Sequence, residues 1–218
     1  MLAAARAPDT VARLRVEPGD GEYLVWADNT LAGPIEVILR AEGDAPASDP
    51  PLPARAGIPA GGSALVARLR LPAGRAGNLP LRLSSVPGSS NARPRDVEYL
   101  SPLVRADSRI DQGFDGAFSH QDDENRYALD FAVPVGTPVL AARAGTVMQV
   151  EAGQQGAGLG AADAGRANFV RILHDDGTMA LYAHLAPDGV LVRQGDAVQA
   201  GQRIALSGNT GYSTAPHL

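Results

Sequence analysis

The sequence contains no cysteine and no lysine. Without cysteine, disulfides and thiolate metal sites are excluded, and the redox compartment is left open. Without lysine, all 19 basic side chains are arginine, which excludes Schiff-base chemistry, lysine-borne carrier groups and the phosphate-binding P-loop. No apolar run approaches the about 18 residues needed to span a membrane. The opening "MLAAARAPDT" is too short for the apolar region of a secretory signal. Its Ala-Arg-Ala reads either as the stub left beside a cleavage site or as chance in an alanine-rich segment. Nor is there an excess of positive charge: the net charge of −5 and pI near 5.3 exclude a nucleic-acid binder, which must neutralise phosphates. Finally, no long stretch carries a 3.6-residue apolar period, so no amphipathic helix is expected.

Turn formers and short apolar runs are what the sequence has instead. Gly 25 and Pro 17 are too many for a helical bundle. Runs of Val, Leu, Ile and Thr bounded by Gly, Pro, Asp and Asn predict strands at Thr10–Val16, Tyr23–Ala27, Ile35–Leu39, Ala64–Leu71 and Leu81–Ser85. "EGDAPASDPPLPARAGIPAGG" reads as a long loop between two of them. "SSVPGSSNARPRD" reads as an extended connector, dividing the chain into domains 1–100 and 101–218. Beyond it, strands are expected at Tyr127–Ala132, Pro138–Ala142, Thr146–Val150, Phe169–His174, Met179–His184, Val190–Val192 and Arg203–Ser207. "HDDGT" is a hairpin turn with Asp-Gly at its tip, which makes His174 an exposed residue without a role. "EAGQQGAGLGAADAGRAN" reads as a mobile Gly/Ala loop. Gly136, Gly145, Gly195, Gly201, Gly208 and Gly211 read as turn residues needing positive φ. The fold class is all-β: a β-sandwich-like N-terminal domain, then a barrel-like antiparallel domain.

All four histidines, His120, His174, His184 and His217, lie in the second half. A hydrolytic zinc site needs three protein ligands, an open position for water, and a base beside it. By spacing alone these histidines are a weak signal. However, "YALDFAVPVGTPVLAARAGTV", "LYAHLAPDGVLVRQGDAVQAGQRIALSGNTG" and "APHL", in that order, resemble the lysostaphin-like zinc metallopeptidases, which cleave peptide cross-links of bacterial peptidoglycan. The resemblance runs from about Gln112 to the last residue.

That resemblance implies the following roles. Asp130, preceding Phe131-Ala132 and the Gly136-Thr137-Pro138 turn, matches a zinc-ligand carboxylate. His184, in Tyr182-Ala183-His184, and His217, as the first histidine of a His-x-His with Leu218 as x, match the two catalytic histidines beside the metal-activated water. Two departures stand out. The family's third ligand falls on the position after Leu218, so the sequence is expected to be truncated there. The usual His-x-x-x-Asp spacing places Arg126 at the first ligand position, so His120, in Phe118-Ser119-His120, is assigned instead, with Asp122, Asp123 or Glu124 as substitutes. The implied function is a zinc endopeptidase acting on peptidoglycan stem peptides in the periplasm or outside the cell, with an envelope protein as a possible further partner. The alternative is a non-catalytic relative of the same fold that binds or activates a cell-wall amidase. "GDAVQAGQRI" also resembles biotinyl and lipoyl carrier domains, which the missing lysine excludes.

Overall fold

The structure is a computed structural model describing residues 11–43, 46–70, 81–104, 109–160, 162–163 and 165–218. The opening segment, Thr10 and Leu71 lie outside the described residues. The chain is all-β, and no helix occurs among the described residues. It divides into two compact units, Met1–Pro94 with Asp176–Thr178, and Arg95–Asp175 with Met179–Leu218.

The first unit contains β1 (Ala12–Pro18), β2 (Tyr23–Asn29), β3 (Ile35–Ala41), β4 (Ala47–Asp49), β5 (Ala54–Ile58), β6 (Ser63–Arg70) and β7 (Leu81–Pro87). They form two antiparallel sheets, β1-β2-β6-β4 and β5-β3-β7. Strict alternation buries Val25 and Ala27 of β2 and Ile35, Val37 and Leu39 of β3, as expected for strands with one face on a core. The proline-rich segment read as a loop contains two strands. Its prolines fall just before β4, between β4 and β5, or just after β5, while Ala54 and Ile58 alternate inward and pair with β3.

The second unit contains β8 (Arg109–Gln112), β9 (Asp130–Ala132), β10 (Pro138–Leu140), β11 (Gly145–Glu151), β12 (Ala157–Gly158), β13 (Phe169–Leu173), β14 (Met179–Tyr182), β15 (Leu185–Val190), β16 (Ala197–Val198), β17 (Arg203–Ser207) and β18 (Gly211–Tyr212). Two sheets, β14-β13-β11-β16 and β10-β17-β15, enclose a core that includes Val139, Val147, Val170, Ile172, Leu185 and Ile204. Each such side chain contributes about 1.5–3 kcal/mol when fully buried. Tyr182 belongs to this core, and its hydroxyl accepts a hydrogen bond from the Ala142 N–H at 2.7 Å.

Four expectations are corrected here. First, the Gly/Ala segment is anchored, because β12 pairs in parallel with β18. Second, His174 is 3% exposed, its Nδ1 donating to the Ala144 carbonyl at 2.9 Å and its ring packing edge-on to Tyr99. Asp-Gly chemistry fixes a turn but says nothing about what packs on the residue before it. Third, the strand expected to run through His184 ends at Tyr182, and the chain turns a corner into β15 of the other sheet.

Fourth, Gly145 and Gly208 lack positive φ, unlike Gly136, Gly195, Gly201 and Gly211. They are required by close approach instead. A Cβ on Gly208 would stand 2.4 Å from the Ala186 nitrogen, and one on Gly145 would stand 2.3 Å from the Leu173 carbonyl oxygen. Gly208→Ala therefore has to push backbone, and we expect a loss of about 1–3 kcal/mol, read as a lowered denaturation midpoint. An unchanged midpoint would contradict this account.

Candidate functional site

Asp130 and His120 come together through a strand pair and its loop. β8 and β9 pair antiparallel with Gln112 opposite Asp130, and the loop between them folds back so that the His120 N–H donates to the Gly116 carbonyl. His120 is 4% exposed. Its Nδ1 donates to the Gly113 carbonyl at 2.8 Å, which leaves Nε2 with a lone pair facing Asp130 Oδ1 at 3.1 Å. At this distance the two atoms hydrogen-bond when Nε2 carries a proton, and in the tautomer with the proton on Nδ1 both present lone pairs that a metal ion could take. Two ligands of a tetrahedral zinc with 2.0–2.1 Å bonds stand about 3.3 Å apart. The donor chemistry, spacing and backbone-fixed tautomer of this pair therefore fit half of a zinc site. Among the described residues no group of three His, Cys, Asp or Glu side chains converges on one metal position.

Gln112, which sequence reasoning missed, ties this arrangement together. Its Nε2 donates to Asp130 Oδ2 at 3.1 Å and to Ser119 Oγ at 2.8 Å, and its Oε1 accepts from the Phe118 N–H at 3.0 Å. One amide thus aims the carboxylate and holds the turn leading into His120. Gln112→Leu is expected to weaken zinc binding about 10–100-fold, as for other lost outer contacts of metal ligands, measured by competition with a chromophoric chelator. Unchanged affinity would show that Gln112 does not orient Asp130.

His184 and His217 form a second pair, with ring centroids 4.4 Å apart. His184 has φ 57, the left-handed region, which a side chain other than Gly occupies at a cost of about 1–3 kcal/mol and only where surrounding contacts enforce it. The enforcing contacts are polar and buried. Asn168 and Thr210 are both fully buried. Thr210 Oγ1 accepts from the Asn168 N–H and donates to the Leu185 carbonyl, Asn168 Nδ2 donates to the Gln154 carbonyl at 3.0 Å, and the Leu185 N–H donates to the Asn168 carbonyl. These bonds pin the corner at its C-terminal side. The Thr210 carbonyl then accepts from His184 Nδ1 at 2.8 Å, so Nε2 is the free acceptor. Burial is the main force pushing His184 below the ordinary imidazole range; the Thr210 bond opposes it, nearby His217 adds to it, and Asp130 opposes it. His217 Nδ1 donates to the Ala215 carbonyl at 2.8 Å and lies 3.2 Å from Ser213 Oγ.

The last two residues join the pairs. His217 bridges Ala132 on one side and Gly208 on the other. Leu218 and Phe131 exchange both backbone hydrogen bonds, at 2.8 and 3.0 Å. Phe131 and Leu218 turn toward the core, so Asp130 and His217 share the opposite face. The structure thus brings His120 to Asp130 and His184 to His217.

Residues 124–218 match peptidase family M23. Over that stretch the chain is similar to peptidase family M23. Over 95 residues the chain is 45% identical to the glycyl-glycine endopeptidase ALE-1 of Staphylococcus capitis, covering 43% of this chain and 23% of that protein. Over 89 residues it is 43% identical to the peptidoglycan DD-endopeptidase ShyA of Vibrio cholerae, covering 41% and 18%. Over 90 residues it is 43% identical to an uncharacterized metalloprotease of Haemophilus influenzae, covering 41% and 17%. The chain therefore spans under a quarter of each of these relatives. The M23 stretch includes Asp130, His184 and His217, whereas His120 lies just upstream of it.

Proposed function

We propose that residues 101–218 form the metallopeptidase domain of a zinc endopeptidase that hydrolyses peptide cross-links of peptidoglycan, in the periplasm or outside the cell. Residues 1–100 then form a separate β-sandwich-like domain that positions it or engages an envelope partner. The observation carrying this reading is the His120–Asp130 acceptor pair set beside the His184–His217 pair. The M23 match and the endopeptidases among the relatives support the reaction class.

His120 Nε2 and Asp130 would hold the zinc. The register pairing Phe131 with Leu218 sets the position after Leu218 opposite Asp130, on the Asp130 face, where a histidine would supply a third donor. Bound zinc would polarise the scissile carbonyl and acidify a water molecule. His184 Nε2, locked as an acceptor by the Thr210 carbonyl, takes the water proton. His217 Nε2, when protonated, donates to the developing negative charge on the carbonyl oxygen.

This assignment has a pH signature. Burial favours neutral His184, so the acceptor form persists below the ordinary imidazole pKa of 6.5. The acid limb of kcat/KM for muropeptide cleavage is expected to fall below that value, and a limb at or above it would contradict His184 as the buried base. The function itself is tested by incubating purified peptidoglycan with the protein and zinc. Release of new peptide termini that stops on chelation is the expected result, and no release under any metal condition would refute the reading. The second reading, a non-catalytic activator of a cell-wall amidase, is favoured by Arg126 at the usual ligand spacing. It predicts no release by the protein alone and a faster amidase in its presence.

A further inference from the structure

β13 sends Val170 and Ile172 into the core and turns Arg171 to the opposite face of its sheet. There Arg171 stands opposite Gln149 of β11 and Leu181 of β14. Its Nε donates to Gln149 Oε1 at 3.3 Å, and its guanidinium lies 5.9 Å from the centroid of the Phe169 ring. Among the described residues no carboxylate pairs with it, and its two Nη groups donate to no protein acceptor. A guanidinium has five N–H donors in a planar fork suited to a carboxylate, and here one is used, on a neutral amide. Burial holds the group below the ordinary guanidinium range, and Glu124 is the anion whose field opposes that. A largely desolvated cation without an anion is costly to keep, and it binds an incoming anion more strongly than an exposed arginine would.

Its place relates it to the site. β13 starts immediately after Asn168, which fixes the His184 corner, so Arg171 is three residues, or about 10 Å, along an extended strand from that corner. Glu124 lies four residues after His120, in the same loop. β14, which leads into the His184 corner, pairs with β13 at Arg171, and the loop that carries His120 holds the anion whose field reaches it. A peptide extended along β13 with its scissile bond at His184 would bring a residue two or three positions away over the guanidinium.

Resting on the peptidase reading for the bound peptide, we propose that Arg171 forms a subsite for a carboxylate carried by the substrate peptide two or three residues from the cleaved bond. Gln149 and the Phe169 ring hold the fork in place, and Glu124 acts as the competing anion that the substrate carboxylate displaces.

Binding rather than turnover tests this. Acetyl-Ala-Glu-Ala-amide, its Gln counterpart and acetyl-Ala-Gln-Ala as the free acid are titrated into the full chain at low salt, following the Arg171 Nε–H resonance. The two charged probes separate a side-chain from a chain-terminal carboxylate. At least one of them should bind about tenfold or more tighter than the neutral peptide, the size of one charge-assisted hydrogen bond, and should move that resonance. Arg171→Met should erase the difference, Arg171→Lys should keep part of it, and Glu124→Gln should increase it. Equal binding of all three peptides, or a preference surviving in a folded Arg171→Met variant, would overturn the proposal. Loss of the peptidase reading would appear separately, as absent peptide-bond cleavage with the binding preference intact.

Discussion

Replacing His184 with alanine is expected to lower the rate of peptide cleavage about 10²–10⁴-fold, the range for removal of a positioned proton acceptor. Zinc affinity should be unchanged, because His120, Asp130 and Gln112 do not contact the ring. The strained backbone at His184 adds a control. Glycine tolerates the left-handed region and alanine does not, so His184→Gly should be more stable than His184→Ala by about 1 kcal/mol. Both variants lose the acceptor, so both should be inactive. Cleavage retained by either would remove His184 from the mechanism, and a glycine variant no more stable than the alanine one would show the corner to be unstrained.

Asp130→Asn is the second large effect. It keeps the shape of the side chain and removes the anion. In the metal-free protein this change should cost little, because an amide N–H can donate to the His120 Nε2 lone pair where a carboxylate oxygen now faces it. With zinc the outcome reverses. Losing the charged donor of the His120–Asp130 pair should weaken zinc binding by about 10²-fold or more, beyond what an outer contact such as Gln112 supplies. The rise in melting temperature on adding zinc should vanish with it. A variant that melts with zinc as the unmodified chain does would show that Asp130 does not hold metal.

The all-β class was legible because glycine, proline and short Val/Leu/Ile runs leave little else to build. The strands of both cores follow from the same alternation, as Val170 and Ile172 facing in beside Arg171 illustrate. What escaped was set by distant partners. β5 lies in a proline-rich segment, and only its pairing with β3 makes it a strand. His174 is buried by Ala144 and Tyr99, neither near it in sequence. Gly208 is required by the Ala186 backbone beside it, which no local turn pattern encodes. At the candidate site, resemblance pointed to His120, Asp130, His184 and His217. Gln112, Asn168 and Thr210 went unseen because polar residues at strand ends and in loops read as solvated until their carboxylate, hydroxyl and carbonyl partners, 18 to 42 residues away, are known.

The central claim is that His120 and Asp130 hold a metal which His184 and His217 flank without binding. Long-range ¹H–¹⁵N NMR of the four imidazoles, recorded with and without zinc in excess, tests it most directly. The predicted result is a metal-induced shift at His120 Nε2, with Nδ1 still protonated, while Nε2 of His184 and of His217 stays uncoordinated. Metal ligation at His184 or His217, or no response at His120, would contradict it.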